Sequence, residues 1–277
     1  MKNFLYHKPT TLSEALSLRA RYGQSAVLLA GGSDVVIQLR EHLIAPEAVI
    51  DIKGIAELTG VVWDEHNLWI GAKTTMRELA EHPEVLRAYP FLADAASRVG
   101  SKQLRNRATC VGNIVNASPL CDTGTPLYAL DAVVVTNARE IPICEFITFV
   151  RRTSLAADEI VTGIRVPHQN CKGEFTKISR RSEVDLSTVC ATVLQAGDSY
   201  RLSFGAVAPT PLRLRETEAL LNGKPLTAAR IEQAAISARA EVKPISDIRA
   251  SLEYRLDMVE LITRRSLTNL MNGGSEA

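Results

Sequence analysis

The chain has 277 residues, of which 46% are hydrophobic and 23% are charged, and its formal net charge is +1. This length suggests one large domain or two modest ones, with ample apolar residues for a core. The near-neutral charge gives no electrostatic case for binding nucleic acid or an anionic membrane.

Targeting and cysteine patterns favour a cytoplasmic protein with reduced thiols. No apolar run is long enough to cross a bilayer, and the first residues lack the apolar segment of a signal peptide. The five cysteines are odd in number, widely spaced and without a C-x-x-C pair. This pattern argues against a disulfide framework or an iron–sulfur site in this chain.

The chain opens with a predicted strand at residues 4–7. A helix follows, for which Thr11 and Glu14 have the spacing of a capping box. Residues 25–30 form the next strand, and Gly31-Gly32 ends it. We expect Ser33 to be the N-cap of a helix over residues 35–42, with Asp34 in its first turn.

A strand, a tight glycine turn and the start of a helix together can form a phosphate-binding site. Glycines let the backbone approach a ligand closely, and a helix start offers unpaired N–H groups and a partial positive charge. The same pattern also fits an ordinary strand-to-helix turn that binds nothing.

The middle of the chain alternates strands and short helices. We expect a strand over residues 48–52, a hairpin of strands 61–63 and 67–70, and helices beginning at Thr75 and Pro90. Strands are expected to dominate around residues 108–122, followed by a helix that runs into a strand over residues 127–135. The alternation at residues 158–166 predicts a strand that Pro167 ends.

A second polar stretch follows the basic run 102–107. Residues 108–122 mix Thr, Asn and Ser with apolar side chains. Because a buried polar group is costly unless it is paired, this mixture suggests hydrogen bonds to something enclosed, such as a long ligand with a phosphate centre and polar rings. A polar surface loop beside a basic patch is the alternative.

The last hundred residues predict a small α+β unit. The polar, turn-rich segment 168–173 is the best boundary between two domains. Three strand candidates follow it, and then three helices. The strands are residues 175–178, 186–194 and 200–207, and the helices are residues 216–221, 231–241 and 251–271.

Two segments carry a resemblance to a known family. Residues 30–34 (AGGSD) and 105–113 (RNRATCVGN) resemble the two flavin signatures of the FAD-binding medium subunit of molybdenum hydroxylases, the group of bacterial xanthine and carbon monoxide dehydrogenases. The similarity runs nearly end to end. Residues 249–255 (RASLEYR) are similar to the closing helix of the xanthine dehydrogenase branch.

The resemblance implies an α+β fold in two parts. Residues 1–170 would form a two-subdomain FAD-binding domain of the vanillyl-alcohol-oxidase (PCMH) type. Residues 171–277 would form the family's small α+β C-terminal domain, a three-stranded sheet with helices. The implied FAD contacts are Leu28, Leu29, Ala30, Gly31, Gly32, Ser33, Asp34, Val35, Thr109, Cys110, Val111, Gly112, Asn113, Asp122, Ile160 and Lys177.

For several of these positions, the residue type alone suggests a role other than binding FAD. A lysine in a strand, such as Lys177, is more often a solvated charge, and Asp122 could equally cap a turn. Cys110 is expected to be a small buried hydrophobe rather than a nucleophile. The family usually has a glycine where Val111 stands, so either the backbone is not left-handed there or the flavin sits slightly differently.

The resemblance also implies an electron-transfer role without a catalytic side chain or bound metal on this chain. A small partner subunit would carry 2Fe–2S clusters and a large one the molybdenum cofactor. Electrons would reach FAD here and leave as hydride to NAD⁺, with purine (xanthine) hydroxylation as the expected overall reaction. The alternatives are a stand-alone flavin oxidase of the same fold and a non-enzymatic nucleotide-binding module.

Overall fold

The computed structural model describes residues 2–273. The first part of the chain holds a three-stranded parallel sheet in the order β1-β3-β2, with helix α1 packed on β3. These elements are β1 Leu5–His7, α1 Leu12–Tyr22, β2 Ala26–Leu29, α2 Val35–Arg40 and β3 Ala48–Asp51. The glycine turn therefore lies between β2 and α2, as predicted.

The capping box predicted for α1 is only half formed. The Thr11 hydroxyl accepts from the Glu14 amide, as expected. The Glu14 carboxylate, however, accepts from the amide of Thr10 instead of closing the box on Thr11. A complete capping box is found at Thr75 and Glu78, where the predicted helix begins at Met76.

A second sheet of five antiparallel strands follows in the order β4-β5-β10-β6-β7, with a small hairpin, β8-β9, beside it. The predicted hairpin of residues 61–63 and 67–70 is confirmed as β4 and β5. These strands are β4 Val61–Trp63, β5 Asn67–Gly71, β6 Val133–Thr136, β7 Glu140–Pro142, β8 Ile147–Phe149, β9 Arg152–Thr153 and β10 Val161–Pro167.

The prediction of strands around residues 108–122 is wrong, because the structure has a helix over residues 110–115 and turns after it. Ser101 and Thr109 each accept a hydrogen bond from the amide three residues on, and these side-chain caps start short helices. The predicted helix that runs into a strand over residues 127–135 is confirmed. The helices are α3 Met76–Glu81, α4 Pro83–Ala88, α5 Pro90–Ser97, α6 Lys102–Arg105, α7 Cys110–Val115, α8 Gly124–Ala129 and α9 Ile143–Phe146.

The strand predicted at residues 158–166 begins later, at Val161. Two residues before it, the Glu159 carboxylate pairs with Arg139 at 2.7 Å. The Ile160 amide donates to Asn137 Oδ1 instead of to a neighbouring strand. These contacts hold the chain in a turn and delay the strand.

The last part of the chain is an antiparallel sheet in the order β11-β12-β13-β14, with three helices that follow it. The three predicted strands and all three predicted helices are confirmed, with Thr227 and Ser251 as N-caps of the last two helices. The sheet has a fourth, two-residue strand that the sequence did not predict. The elements are β11 Lys172–Ile178, β12 Val189–Ala196, β13 Ser199–Gly205, β14 Leu212–Arg213, α10 Arg215–Leu221, α11 Ala228–Glu241 and α12 Leu252–Met271.

Strand β12 is buried on both faces and joins the two hydrophobic cores. Val189, Ala191 and Val193 belong to the core shared with the C-terminal helices. Cys190 and Leu194 belong to the core of the first part of the chain. Because side chains alternate across a strand, the C-terminal sheet lies between its own helices on one side and the first part on the other. The two parts are therefore closely packed.

None of the helices described within residues 2–273 has the length and hydropathy of a membrane span.

A buried arginine fixes the start of α12. Arg255 is 2% exposed, and its Nη1 donates to the carbonyl oxygens of Thr188 at 2.6 Å and Ala206 at 2.8 Å. Its Nη2 pairs with Asp247 Oδ1 at 2.7 Å. Burial disfavours the charged Asp247 carboxylate, but donors from the Arg249 and Ala250 amides and from Arg255 outweigh this cost and lower its pKa to about 2.

We predict that Asp247→Asn destabilises the protein by about 1–2 kcal/mol at pH 7. Because the folded-state pKa lies below the ordinary value, this stabilisation is present above about pH 4 and disappears as the pH falls towards 2. Urea unfolding at pH 7 and pH 3 measures the free energy of unfolding of both proteins. The difference in this free energy between wild type and variant must be smaller at pH 3 than at pH 7. Asp257→Asn removes the exposed ion pair between Arg239 and helix α12 and should change stability by less than about 0.5 kcal/mol. An equal loss of stability at pH 7 and pH 3 would show that the ionised Asp247 carboxylate is not the source of the effect.

Candidate functional site

The two signature segments contact each other through their backbones. A Cβ atom on Gly31 would lie 2.0 Å from the carbonyl oxygen of Arg107 and 3.0 Å from Cα of Ala108. Only glycine allows this approach. Gly32 adopts φ +75, a left-handed conformation that also favours glycine. The structure thus brings the two predicted signatures together.

The first signature leaves backbone donors free at this contact. Within residues 2–273, the amides of Gly31, Gly32 and Ser33 donate to no acceptor of the chain, and all three residues are half-buried. Adjacent N–H groups without partners are the usual means of binding an anion at a glycine turn. Leu28, Leu29 and Ala30 lead into the turn and are half-buried as well.

The helix after this turn does not begin as predicted. Helix α2 starts at Val35, and Asp34 rather than Ser33 occupies the N-cap position, without a side-chain cap bond. The Asp34 carboxylate instead pairs with Arg151 at 3.0 Å and accepts from Gln38. The prediction that Ser33 caps the helix is therefore wrong, and its hydroxyl is left without a cap bond.

The second signature begins a helix. The Thr109 hydroxyl accepts from the Gly112 amide at 3.0 Å, and a Cβ atom on Gly112 would lie 2.6 Å from that oxygen. Val111 lies inside this helix, is 3% exposed and is not left-handed. Of the two alternatives for Val111, a backbone that is not left-handed is the observed one. Gly112 is the position where a side chain cannot fit.

Asn113 presents an unused donor beside this helix. Its Oδ1 accepts from the Thr123 hydroxyl at 2.7 Å and from the Cys121 thiol at 2.9 Å. Its Nδ2 has no acceptor among the described residues. Cys110 is fully buried, and burial raises the pKa of its thiol to about 12. It is a packed hydrophobe, as expected, and not a nucleophile.

Asp122 and Lys177 form a buried ion pair. Lys177 Nζ lies 2.7 Å from Asp122 Oδ2, and both side chains are 7% exposed. The Ser187 hydroxyl also donates to Asp122, and Lys177 donates to the Arg98 carbonyl oxygen at 3.0 Å. Burial raises the pKa of the Asp122 carboxyl, while the Lys177 charge opposes this shift. Lys177 is thus not a solvated charge, and Asp122 does not merely cap a turn.

A groove of about 490 Å³ opens beside this pair. One wall is made by residues 97–105 and the other by Lys177 and the loop that follows β11. Arg98, Lys102 and Arg105 give the first wall a positive charge, while Glu183 and Asp185 lie on the second. The first wall ends two residues before Arg107, whose carbonyl meets Gly31. The groove wall and the glycine contact are therefore neighbours along the chain.

Ile160 offers no free group for a ligand. It is fully buried, its amide donates to Asn137 Oδ1 at 2.8 Å, and its carbonyl oxygen accepts from the Asn137 amide at 3.1 Å. Both backbone groups and the side chain are thus occupied within the chain. Its assignment as a ligand contact stays a prediction.

Arg151 is a further residue at this site that no sequence pattern predicts. This residue lies at the tip of the β8-β9 hairpin with φ 60. Its guanidinium pairs with Asp34 of the first signature at 3.0 Å and donates to Asn116, just after the second. It therefore ties the two signatures together from outside. Nothing in the local sequence around Arg151 indicates this contact.

The donors present fit a dinucleotide with a diphosphate centre. The amides of Gly31, Gly32 and Ser33 lie free beside the contact of the two segments, and Asn113 Nδ2 of the second segment is a further neutral donor without an acceptor among the described residues. The groove beside Lys177 has room for a ring system, and its walls carry polar, basic and acidic groups. Such a site holds phosphates through backbone N–H groups and needs no phosphate-binding lysine.

Two family models together match most of this chain. A model of the FAD binding domain in molybdopterin dehydrogenase matches residues 2–169, and a model of the CO dehydrogenase flavoprotein C-terminal domain matches residues 174–270. A putative xanthine dehydrogenase FAD-binding subunit of Escherichia coli is 35% identical over 276 residues, covering 95% of this chain and 94% of that protein. The carbon monoxide dehydrogenase medium chain of Hydrogenophaga pseudoflava is 31% identical over 274 residues, covering 95% and 96%.

Solved structures show the same fold. A carbon monoxide dehydrogenase from Hydrogenophaga pseudoflava matches with TM-score 0.93 and 30% identity, covering 99% of both chains. Quinoline 2-oxidoreductase from Pseudomonas putida matches with TM-score 0.91 and 26% identity, again covering 99% of both. The expected α+β architecture, with a FAD-binding domain first and a small C-terminal domain second, is confirmed.

We predict that Gly31→Ala destabilises the ligand-free protein by more than about 2 kcal/mol, because the added Cβ would overlap the Arg107 carbonyl oxygen. Ser33→Ala, in the same turn, should change the stability of the ligand-free protein by less than about 0.5 kcal/mol, since its hydroxyl makes no cap bond. Thermal and urea unfolding measure both variants. A Gly31→Ala protein as stable as wild type would show that the two segments do not meet at this point.

Proposed function

Because the chain belongs to the FAD-binding family of the molybdopterin dehydrogenases, we propose that its two signatures hold FAD and that the chain conducts electrons out of a larger complex. It is a FAD subunit of an oxidoreductase of the molybdenum hydroxylase family. The observation that carries the site assignment is the set of free amides at the contact between Gly31 and Arg107.

The proposed FAD contacts come from both signatures and from the buried ion pair. The amides of Gly31, Gly32 and Ser33 would bind the diphosphate, with Asn113 Nδ2 as a side-chain donor. The groove beside Lys177 would accept a ring end of the dinucleotide. The full proposed set is Leu28, Leu29, Ala30, Gly31, Gly32, Ser33, Asp34, Val35, Thr109, Cys110, Val111, Gly112, Asn113, Asp122, Ile160 and Lys177.

Bound FAD would supply the chemistry, by accepting electrons singly and releasing them as a hydride. The residues of this chain bind and orient the cofactor. Arg151 keeps the two signatures closed on each other through Asp34 and Asn116. Asp122 and Ser187 hold the Lys177 ammonium in place at the groove. None of these side chains needs to act as a general acid or base.

The proposed partners are a large subunit with the molybdenum cofactor and a small subunit with 2Fe–2S clusters. The relatives in question are named as a FAD-binding subunit and a medium chain, which are parts of larger enzymes. We further propose NAD⁺ as the electron acceptor and a purine as the substrate of the complex. The support for a purine is the higher identity to the xanthine dehydrogenase subunit, 35%, than to the carbon monoxide dehydrogenase chain, 31%.

We also propose that the domain boundary lies near residue 170, with domains at 1–170 and 171–277. In support, β10 ends at Pro167 and β11 begins at Lys172. The two family models meet in the same short segment.

Purification with co-expressed neighbouring reading frames tests the proposal. We expect the complex to contain one FAD per chain together with molybdenum and iron–sulfur clusters, and the bound flavin, once reduced, to be reoxidised by NAD⁺. Absorbance near ~450 nm and metal analysis measure the content, since the cofactor carries the chemistry. A protein with no flavin bands and no gain on adding FAD would contradict the proposal and favour a nucleotide-binding module. If the isolated chain oxidises a substrate with its bound FAD, this result would favour a stand-alone oxidase.

A further inference from the structure

The β8–β9 hairpin has a buried base and an exposed tip. Phe146 and Ile147 anchor its base in the hydrophobic core of the first part of the chain. The tip is exposed, with Phe149 at 53% and Val150 at 37%. The two strands pair over a short, irregular register. An element with so few ladder bonds and an exposed tip opens more easily than the core does.

The tip is held in a strained conformation where it meets helix α7. Arg151 has φ 60, and its amide donates to the carbonyl oxygen of Ala117 at 2.9 Å. Ala117 is itself left-handed, with φ 49. Residues other than glycine adopt this conformation at a cost, and such strain persists only where the surroundings impose it. The position of the tip therefore depends on its contacts with the two signatures.

The Arg151 side chain supplies these contacts. Its Nη1 lies 3.0 Å from Asp34 Oδ2 and also donates to Asn116 Oδ1. Asp34 is at the N-cap position of α2, and Asn116 is the C-cap of α7. One guanidinium thus connects the helix that follows the first signature with the helix that the second signature begins. Among residues 2–273, the hydrogen bonds that join this tip to either segment all come from Arg151.

The two signatures are held together by two contacts of different kinds. The contact of Gly31 with the Arg107 carbonyl joins backbone groups and contains no charge pair for salt to screen. The pair of Arg151 with Asp34 is ionic, and its side chains are 51% and 39% exposed, so salt weakens it. The free amides of residues 31–33 stand between these two contacts along the chain. The first contact is fixed, whereas the second can open.

We propose that the β8–β9 hairpin is a strap that opens at Arg151 to let FAD enter and leave, so that this ion pair sets the rate of FAD release. This inference rests on the proposed function. Opening separates Arg151 from Asp34 and Asn116 and leaves the backbone contact at Gly31 in place. Arg151 is a positioning residue, because it acts by holding the two signatures together.

The test is the rate at which the FAD-loaded full chain releases flavin, followed as the rise in free-flavin fluorescence after dilution. For Arg151→Gln, we expect release to be about fivefold faster than from wild type, because an ion pair and a charge-assisted hydrogen bond are lost. Arg151→Lys keeps the charge without the planar fork, so its rate should lie between the two. The matched control is Arg152→Gln, an exposed arginine of the same hairpin, whose rate should stay within about 1.5-fold of wild type.

The response to salt separates this role from general damage to the fold. Raising the ionic strength from about 0.05 M to about 0.5 M with KCl should speed release from wild type about two- to fivefold, since the ion pair is screened. Arg152→Gln should respond as wild type does. In Arg151→Gln the pair is already absent, so the acceleration should be absent as well. A variant that is merely less stable would release FAD faster and still respond to salt.

Each outcome decides the proposal. Faster release from Arg151→Gln without the salt response, partial rescue by Arg151→Lys and an unchanged control support it. If Arg151→Gln releases FAD at the wild-type rate, or keeps the wild-type response to salt, the proposal is overturned. If Arg151→Gln does not fold or load, the wild-type chain decides: acceleration by salt supports the proposal, and release that salt does not change overturns it. A wild-type chain that binds no FAD would instead overturn the proposed function, so the two failures are distinguishable.

Discussion

The structure depends on a backbone contact that has no room for a side chain. Gly31 lies against the Arg107 carbonyl so closely that a single added carbon would overlap it. This contact fixes the first signature against the second, although strands and helices of both subdomains separate them in sequence. The amides of the turn beside this contact have no acceptor among the described residues. A phosphate site made this way relies on the shape of the main chain, and not on charged side chains.

The C-terminal sheet contributes Lys177 to the site and is held in place by packing on both of its faces. Strand β12 contributes to both hydrophobic cores, so the sheet cannot move away from the first part without exposing apolar surface. The neighbouring strand β11 carries Lys177 to the buried Asp122. Breaking a buried pair by removing one partner typically costs about 3–5 kcal/mol, so this contact favours a single arrangement of the two parts. The groove is the space that remains between them.

Much of the fold could be predicted from the sequence, and the reasons are local. Glycine after an apolar run marks the first turn, and periodic apolar residues with Thr or Ser caps mark the last two helices. The sequence predicts strands around the second signature, whereas the caps at Ser101 and Thr109 start short helices there. The sequence predicts Ser33 as the cap, but Asp34 takes the N-cap position and binds Arg151, which lies far along the chain. The pairing of Asp122 with Lys177 likewise depends on tertiary packing, and only the family resemblance pointed to these two residues.

Hydrogen–deuterium exchange with and without FAD tests most directly whether the two signatures bind one ligand together. The account predicts that FAD slows amide exchange in residues 28–35 and in residues 109–113, since the free donors of the turn gain acceptors and the second segment is held against the same ligand. Exchange in helix α11, remote from the groove, should stay unchanged. Protection of only one of the two segments, or of neither at saturating FAD, would contradict the account.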